Sequence, residues 1–567
     1  MAHERAFDPP ECWRLDTPAQ TLVLASWSKR LPVVVYWGAP LAGDEDLAAL
    51  ATAQVRPITN GVLDQIADLS VCPEEGRGFQ GQPGIGATDG KGRPLLTQFE
   101  LAGVETSAEE LRIEARDGRS GVTYRARFHV APGSDVIEAE AELAAGRDAI
   151  DVQWLTAPVV PVPETAPDFI EFAGRWTQEL GLRRVPFSRG VHLRQSRRGR
   201  TGQDHFPAII VPERGCTNLA GEARALSFGF SGVHRTLAEE LADGRRQVQA
   251  GIAEAAHLEP GETLRSETTY LAFSAEGLNG IVHALQAHVR SQVVRFPEPE
   301  RPRPVHYNCW EAVYFDHRID ELRDLASRAA ALGAERFVLD DGWFGSKDQG
   351  RDDDTTSLGD WFVDHRKYPD GLTPLIDHVL SLGMNFGLWV EPEMVNLESD
   401  LARAHPDWII MPEGLDQITG RGQHILDLTN PEVTDYLFER LDALLSEYRI
   451  DYLKWDMNRD LTLAVDSEGH GLLRCQTKAV YALMDRLHTA HPGVEIESCA
   501  SGGARIDYGI LKHTQRVWLS DSNDAHERCK MQHQAMLFLP PEIVGSHVGP
   551  RHCHTSGRIL PISFRAG

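Results

Sequence analysis

Six carboxylates stand out in the second half of this sequence: Asp340, Asp341, Glu391, Glu393, Asp456 and Asp521. They close or follow short apolar runs. Phe337-Val338-Leu339 precedes the first pair, Phe386 to Val390 precedes Glu391, Tyr452 to Trp455 precedes Asp456, and Arg516 to Leu519 precedes Asp521. Two carboxyl groups facing each other across a neutral sugar can cleave a glycosidic bond. One attacks the anomeric carbon or activates water, and the other protonates the leaving oxygen. A single Asp at a strand end can equally cap a loop or pair with a cation, so the weight rests on the cluster. Lys454 lies two residues before Asp456 and shares its face of a strand, where an ammonium can keep the carboxylate ionised. Trp310, Trp343, Trp389, Trp455 and Trp518 stand near the same run ends. Sugar faces stack on such rings, and so do ordinary core side chains.

The elements that must position these groups alternate. A helix is expected from Ile319 to Leu332, stopping at Gly333, before the strand that ends in Asp340. Another runs from Leu372 to Leu382 and stops at Gly383, before the strand ending in Glu391. A third opens at Asn430-Pro431, an N-cap followed by Pro at the first helical position. With His306 to Cys309, Ile425 to Leu428, Val494 to Ser498 and Ile543 to Val548, about eight strands are expected. Repeated βα units imply a parallel sheet, and a (β/α)8 barrel brings every strand's carboxyl end to one rim. No G-x-G-x-x-G follows a strand and no P-loop lysine occurs, which disfavours a nucleotide-binding sheet.

Residues 1–275 have a different character. Short alternating runs such as Val122 to Phe128, broken by Gly, Pro and Asp, suggest a large β-sandwich. Residues 276–304 link the two parts through a helix near Leu278 to Val294, then the stiff run PEPERPRP. The 567-residue chain is too long for one core. Its 57 Lys and Arg against 83 Asp and Glu leave a net charge of −26, which repels nucleic acid and anionic membranes and suits a neutral substrate. The opening MAHERAFDPPECW has no apolar core of signal-peptide length, and the eight Cys show no C-x-x-C pairing, so a reducing cytoplasm is expected.

Residues 305–530 resemble the catalytic barrel of glycoside hydrolase family 36, whose main activity is α-galactosidase. The runs that carry the resemblance are YNCWEA, RFVLDDGWFG, SLGDW, FGLWVEPEMV, DYLKWDMNR, ESCASGGAR and WLSDSNDAHER, in the family's order. More faintly, GRW at 174–176 and SRRGRTGQDHFP at 196–207 resemble its N-terminal domain. The resemblance implies a retaining α-galactosidase with Asp456 as nucleophile and Asp521 as acid/base. Asp524 is expected to start the following helix instead. It implies sugar contacts at Asp340, Asp341, Trp389, Arg421, Lys454, Asn458, Cys499 and Gly502. It implies no cofactor and no metal, an α-galactoside as partner, and a homo-oligomer, a tetramer in many members.

Some positions depart from the family pattern. Gly422 replaces an Asn beside Arg421, and Ala500, Ser501 and Ala504 stand in a run that is usually richer in Gly. They could alter the room near the sugar's C2, so an α-N-acetylgalactosaminidase stays open, as do a transglycosylase and an inactive sugar-binding form. The chain closes at SFRAG, where the family's last barrel helix is expected to begin, so a barrel truncated at its C-terminal end is anticipated. His547, His552 and His554 could suggest a metal, although the resemblance places His at two of these positions without one.

Overall fold

The computed structural model describes residues 9–58 and 63–559; the first eight residues and the closing SFRAG run lie outside them. From Glu11 to Ser274 the chain is β-rich and forms antiparallel sheets of three, seven and ten strands. Alternation builds them. In the strand Thr123–Val130, Tyr124, Ala126, Phe128 and Val130 are buried. Arg125 on the opposite face pairs across the ladder with Glu114 at 2.7 Å and Glu142 at 2.8 Å. Inward residues of both large sheets, Phe128 and Ile137 from one and Val152 and Val248 from the other, belong to one core.

The helix Leu278–His288 continues into a π turn, Val289–Val293, which keeps Ile281, Leu285, Val289 and Val293 buried. Their apolar cluster contains Ile170 and Phe172 from the β-rich half and Val517 and Leu519 from the second half. The rings of Phe172 and Phe206 pack against Phe538, with centroids 5.3 and 5.1 Å away. This joint matters for the site, because the strand carrying Phe172, Asp168–Arg175, ends immediately before the turn that holds Trp176.

The second half is a parallel sheet flanked by helices. Its strands are His306–Asn308, Arg336–Leu339, Asn385–Val390, Tyr452–Trp455, Glu495–Ser498, Arg516–Trp518 and Val544–Gly545, paired in that order. The helices form where their caps predict. Gly333 takes φ +92° just past Ile319–Ala331, a left-handed turn that would strain any residue with a Cβ. The Asn430 side chain accepts the Glu432 N–H at 3.0 Å and opens Pro431–Glu447.

The barrel expectation needs a correction. Seven strands form an open half-barrel, and among the described residues no ladder joins Val544–Gly545 back to His306–Asn308. The run expected as an eighth strand, Ile425 to Leu428, contributes only Ile425 to the strand Gln423–Ile425. That strand lies antiparallel to Met394–Asn396 in a separate two-stranded sheet. Asn385–Val390 pairs directly with Tyr452–Trp455, Leu388 opposite Leu453, so the sheet has no slot between them. A three- or four-residue apolar run carries no record of its partner, and here it paired with Met394–Asn396 across a long, partly helical connection.

Candidate active site

Every strand of the parallel sheet points its carboxyl end the same way, so side chains at or just beyond those ends converge. Asn308 ends the first strand, Asp340 follows the second, Glu391 the third, Asp456 the fourth and Cys499 the fifth. Asp521 lies three residues past the sixth.

Asp456 is the most heavily hydrogen-bonded of them. One oxygen accepts the Met457 N–H at 2.9 Å and the Ser501 N–H at 3.3 Å. The other accepts Asn458 Nδ2 at 2.7 Å and Trp389 Nε1 at 3.2 Å. Burial alone would raise its pKa. The Lys454 charge and the hydrogen bonds from Cys499 and Asn458 outweigh burial and hold it below the usual carboxylate range. Lys454 reaches Asp340 at 2.8 Å, and Asn308 donates to the same carboxylate oxygen. Lys454 is largely shielded from water, a penalty that the charges of Asp340 and Asp456 more than offset, so it stays an ammonium.

Asp341 is clamped by Arg351, Nε and Nη2 each at 3.0 Å, with Arg421 3.7 Å away. Arg421 also pairs with Asp354 at 2.9 Å. Its φ of +54° is followed by +66° at Gly422. Asn and Gly both tolerate that left-handed region, so the departure at Gly422 preserves the backbone path.

Asp521 occupies the opposite corner. It accepts one indole N–H from Trp518 at 3.2 Å and another from Trp176 at 3.0 Å. Burial, then the negative charge of Asp456, push its pKa up, against the pull of the two indoles and Lys454. Asp456 and Asp521 are therefore close enough to feel each other through the site. Gly502 takes φ +78°, and a Cβ there would lie 2.8 Å from the Asp521 backbone nitrogen. The structure thus gathers Asp340, Asp341, Trp389, Arg421, Lys454, Asp456, Asn458, Cys499, Gly502 and Asp521 at one rim.

The other candidates divide. Glu391 is buried and accepts Gln423 Nε2 at 2.8 Å and the Asn458 N–H. Burial and then Asp456 push it up to about 7. Glu393 pairs with Arg505 at 2.6 Å and accepts Trp455 Nε1 at 2.9 Å, a wholly buried arrangement that serves packing. Trp343 is equally buried, its N–H on the Trp389 carbonyl at 2.9 Å. Asp524 caps Ala525–Ala535 by accepting the His526 N–H at 2.9 Å. His547 and His554 face Glu311 at 3.4 and 3.7 Å, and among the described residues no cluster of three or more His, Cys, Asp and Glu is placed to hold a metal.

Comparison with known proteins agrees along the whole chain. The Melibiase family profile matches residues 263–567, and the glycosyl hydrolase family 36 N-terminal domain matches residues 30–257. An α-galactosidase of Escherichia coli is 42% identical over 561 residues, covering 97% of this chain and 77% of its own length. The chain belongs to glycoside hydrolase family 36. AgaA, an α-galactosidase of Geobacillus stearothermophilus, is 34% identical over 486 residues, 84% of this chain and 66% of its own length. The bifunctional α-galactosidase/sucrose kinase AgaSK of Mediterraneibacter gnavus is 35% identical over 465 residues, 81% of this chain and 49% of its own. A crystal structure of an AgaA variant in complex with raffinose superposes with a TM-score of 0.91 at 29% identity, covering 98% of this chain and 81% of that one.

Family motifs read along the sequence do not name every side chain that builds this family 36 site. Trp176 sits 345 residues from Asp521 on a hairpin turn of the β-rich half, with Thr177 beside it at φ +66°. The GRW run that contains it was visible, its destination was not. Arg351 carries no motif of its own. Arg200, within SRRGRTGQDHFP, donates to the Met457 carbonyl at 2.6 Å, to Asp460 at 2.8 Å and to Ser501 Oγ at 3.3 Å. Through Arg200 the β-rich half braces both the loop after Asp456 and the loop before Gly502. The Ser501 hydroxyl, one of the departures from the family pattern, lies between Arg200 and Asn458 Oδ1, 3.3 Å from each.

Proposed function

We propose that this chain hydrolyses terminal α-linked galactose from oligosaccharides of the raffinose and melibiose type, by double displacement with retention. The observation that carries the reading is the opposite direction in which one site shifts the pKa values of two carboxyls. Asp456 is held ionised, as a nucleophile must be, and Asp521 is pushed towards the protonated form, as a general acid must be. Asp456 attacks the anomeric carbon and forms a β-galactosyl ester while Asp521 gives its proton to the leaving oxygen. Asp521, now ionised, takes a proton from water, which attacks the same carbon from the α face and releases galactose with its configuration kept. Asp340 and Asp341, fixed by Lys454, Asn308 and Arg351, hold the hydroxyls that mark an axial O4. Arg421, Cys499 and Gly502 complete the glycone pocket.

The wider organisation follows the same reading. Residues 1–275 form a sandwich domain, 276–304 a linker and 305–567 a catalytic domain of the barrel type. The chain works in the cytoplasm as a homo-oligomer, a tetramer by family likeness. Among the described residues no helix is long and apolar enough to cross a membrane.

The test is hydrolysis of 4-nitrophenyl α-D-galactopyranoside, followed by proton NMR of the first product. Release of α-galactose supports the reading, and first release of the β anomer overturns retention. Faster cleavage of the 2-acetamido analogue would move the assignment to an α-N-acetylgalactosaminidase.

A further inference from the structure

A buried side chain, Arg528, holds the backbone of the turn that carries Asp521. It stands in the first turn of the helix Ala525–Ala535 and is 2% exposed. Its Nη1 donates to the carbonyls of Ser520 at 2.7 Å and Ser522 at 3.0 Å, the two residues that flank Asp521. Its Nη2 donates to the Gly545 carbonyl on the last strand at 2.9 Å. The guanidinium lies 4.8 Å above the Trp518 ring, and that ring's N–H is one of the two that Asp521 accepts.

The geometry is unusual for a buried arginine. A cation taken out of water normally faces a carboxylate. Here all three hydrogen bonds end on backbone carbonyls, and the charged groups around it, Glu179, Asp521, Glu311 and Arg516, act at longer range. Fork geometry and a flat face are what arginine offers beyond a point charge. Both are used, the fork on the turn and the last strand, the face on the indole. The two indoles on the Asp521 carboxyl orient it only as far as its turn is held, and the carbonyls on either side of Asp521 are what Arg528 grips.

We propose that Arg528 is a positioning residue for proton transfer, clamping the Ser520–Ser522 turn and the Trp518 ring so that the Asp521 carboxyl is aimed at the leaving oxygen. The inference rests on the galactosidase reading and adds to it the residue that aims the acid. Among the described residues its side-chain hydrogen bonds go to Ser520, Ser522 and Gly545, and none goes to Asp456 or the donors around it. Its loss therefore weakens the protonation of the leaving group and spares attack on the anomeric carbon.

The experiment compares two substrates in the full chain and in Arg528→Met. Melibiose leaves as a poorly stabilised alkoxide and needs the proton. α-Galactosyl fluoride departs without one. Because kcat/KM reports the steps up to the first departure, we expect it to fall about 100-fold or more for melibiose, within the span that general acid catalysis supplies. For the fluoride it should stay within a few-fold, and galactose binding should be unchanged. Arg528→Lys keeps the cation without the fork and is expected to show the same split in smaller measure. Equal losses on both substrates would overturn the proposal, since a merely structural role disturbs both. Failure of both variants to fold would also overturn it, by making Arg528 a stability residue. Inactivity of the unmodified chain on both substrates would instead remove the galactosidase reading, and this inference with it.

Discussion

The corners that hold Asp456 and Asp521 share the desolvation of one site and differ in the number and kind of their donors. Asp456 accepts two backbone N–H groups, an amide and an indole, takes a further hydrogen bond from Cys499, and lies within the field of Lys454. Asp521 accepts two indoles and faces the negative charge of Asp456. Burial pushes both carboxyls towards the neutral form. Enough donors and a cation reverse that push in one corner, and the scarcity of both leaves it standing in the other. One electrostatic environment thus sustains a base and an acid side by side. The corners differ in origin as well. All the groups around Asp456 come from the parallel sheet and its loops, whereas one of the two donors on Asp521 is brought by the β-rich half.

Breaking the Asp456 corner should have the largest effect. Asp456→Ala is expected to lower kcat by about 10⁴-fold or more, the scale on which a covalent nucleophile acts. Added azide should then restore part of the turnover and give β-galactosyl azide. The α anomer would point to a different nucleophile.

Breaking the other corner should cost less and depend on the leaving group. Asp521→Ala is expected to lower kcat/KM for melibiose by about 10²–10⁴-fold, less for activated aryl galactosides, and to erase the alkaline limb of the pH profile. With azide this variant should yield α-galactosyl azide. An intact alkaline limb would assign the acid elsewhere.

The glycone side offers a stability test. Arg351→Met leaves buried Asp341 without its two-pronged partner, which is expected to cost about 3–5 kcal/mol, seen as a lower urea midpoint, together with a higher KM. An unchanged midpoint would mean that Arg421, 3.7 Å away, takes over the charge.

The smallest effect sharpens the comparison most. The Trp176 N–H favours ionised Asp521, so Trp176→Phe should raise the pKa of the acid. The alkaline limb of kcat/KM should move to higher pH by about one unit, the low end of what one hydrogen bond to a charge is worth, since Trp176 is exposed. A shift to lower pH would show that the indole acts by excluding water instead.

Much of this protein was legible along the chain. The caps at Gly333 and Asn430, the alternation in Thr123–Val130 and the strands ending in Asp340, Glu391 and Asp456 all formed as their local chemistry dictates. These are signals between residues a few positions apart, and neighbours enforce them whatever the rest of the chain does. The Lys454–Asp456 spacing belongs to the same class, since alternation alone puts both side chains on one face. Contacts between distant segments were not legible. Gln423–Ile425 pairs with Met394–Asn396 in a separate two-stranded sheet, because a short apolar run does not encode which strand it will meet. Trp176 reaches Asp521, and Arg200 the loop after Asp456, across a joint to which Phe172, Phe206 and Phe538 contribute. The sequence by itself determined which groups could do the chemistry and the strand ends that carry them. The tertiary structure decided in which direction each carboxyl's pKa moves, since that depends on donors and charges supplied across hundreds of residues.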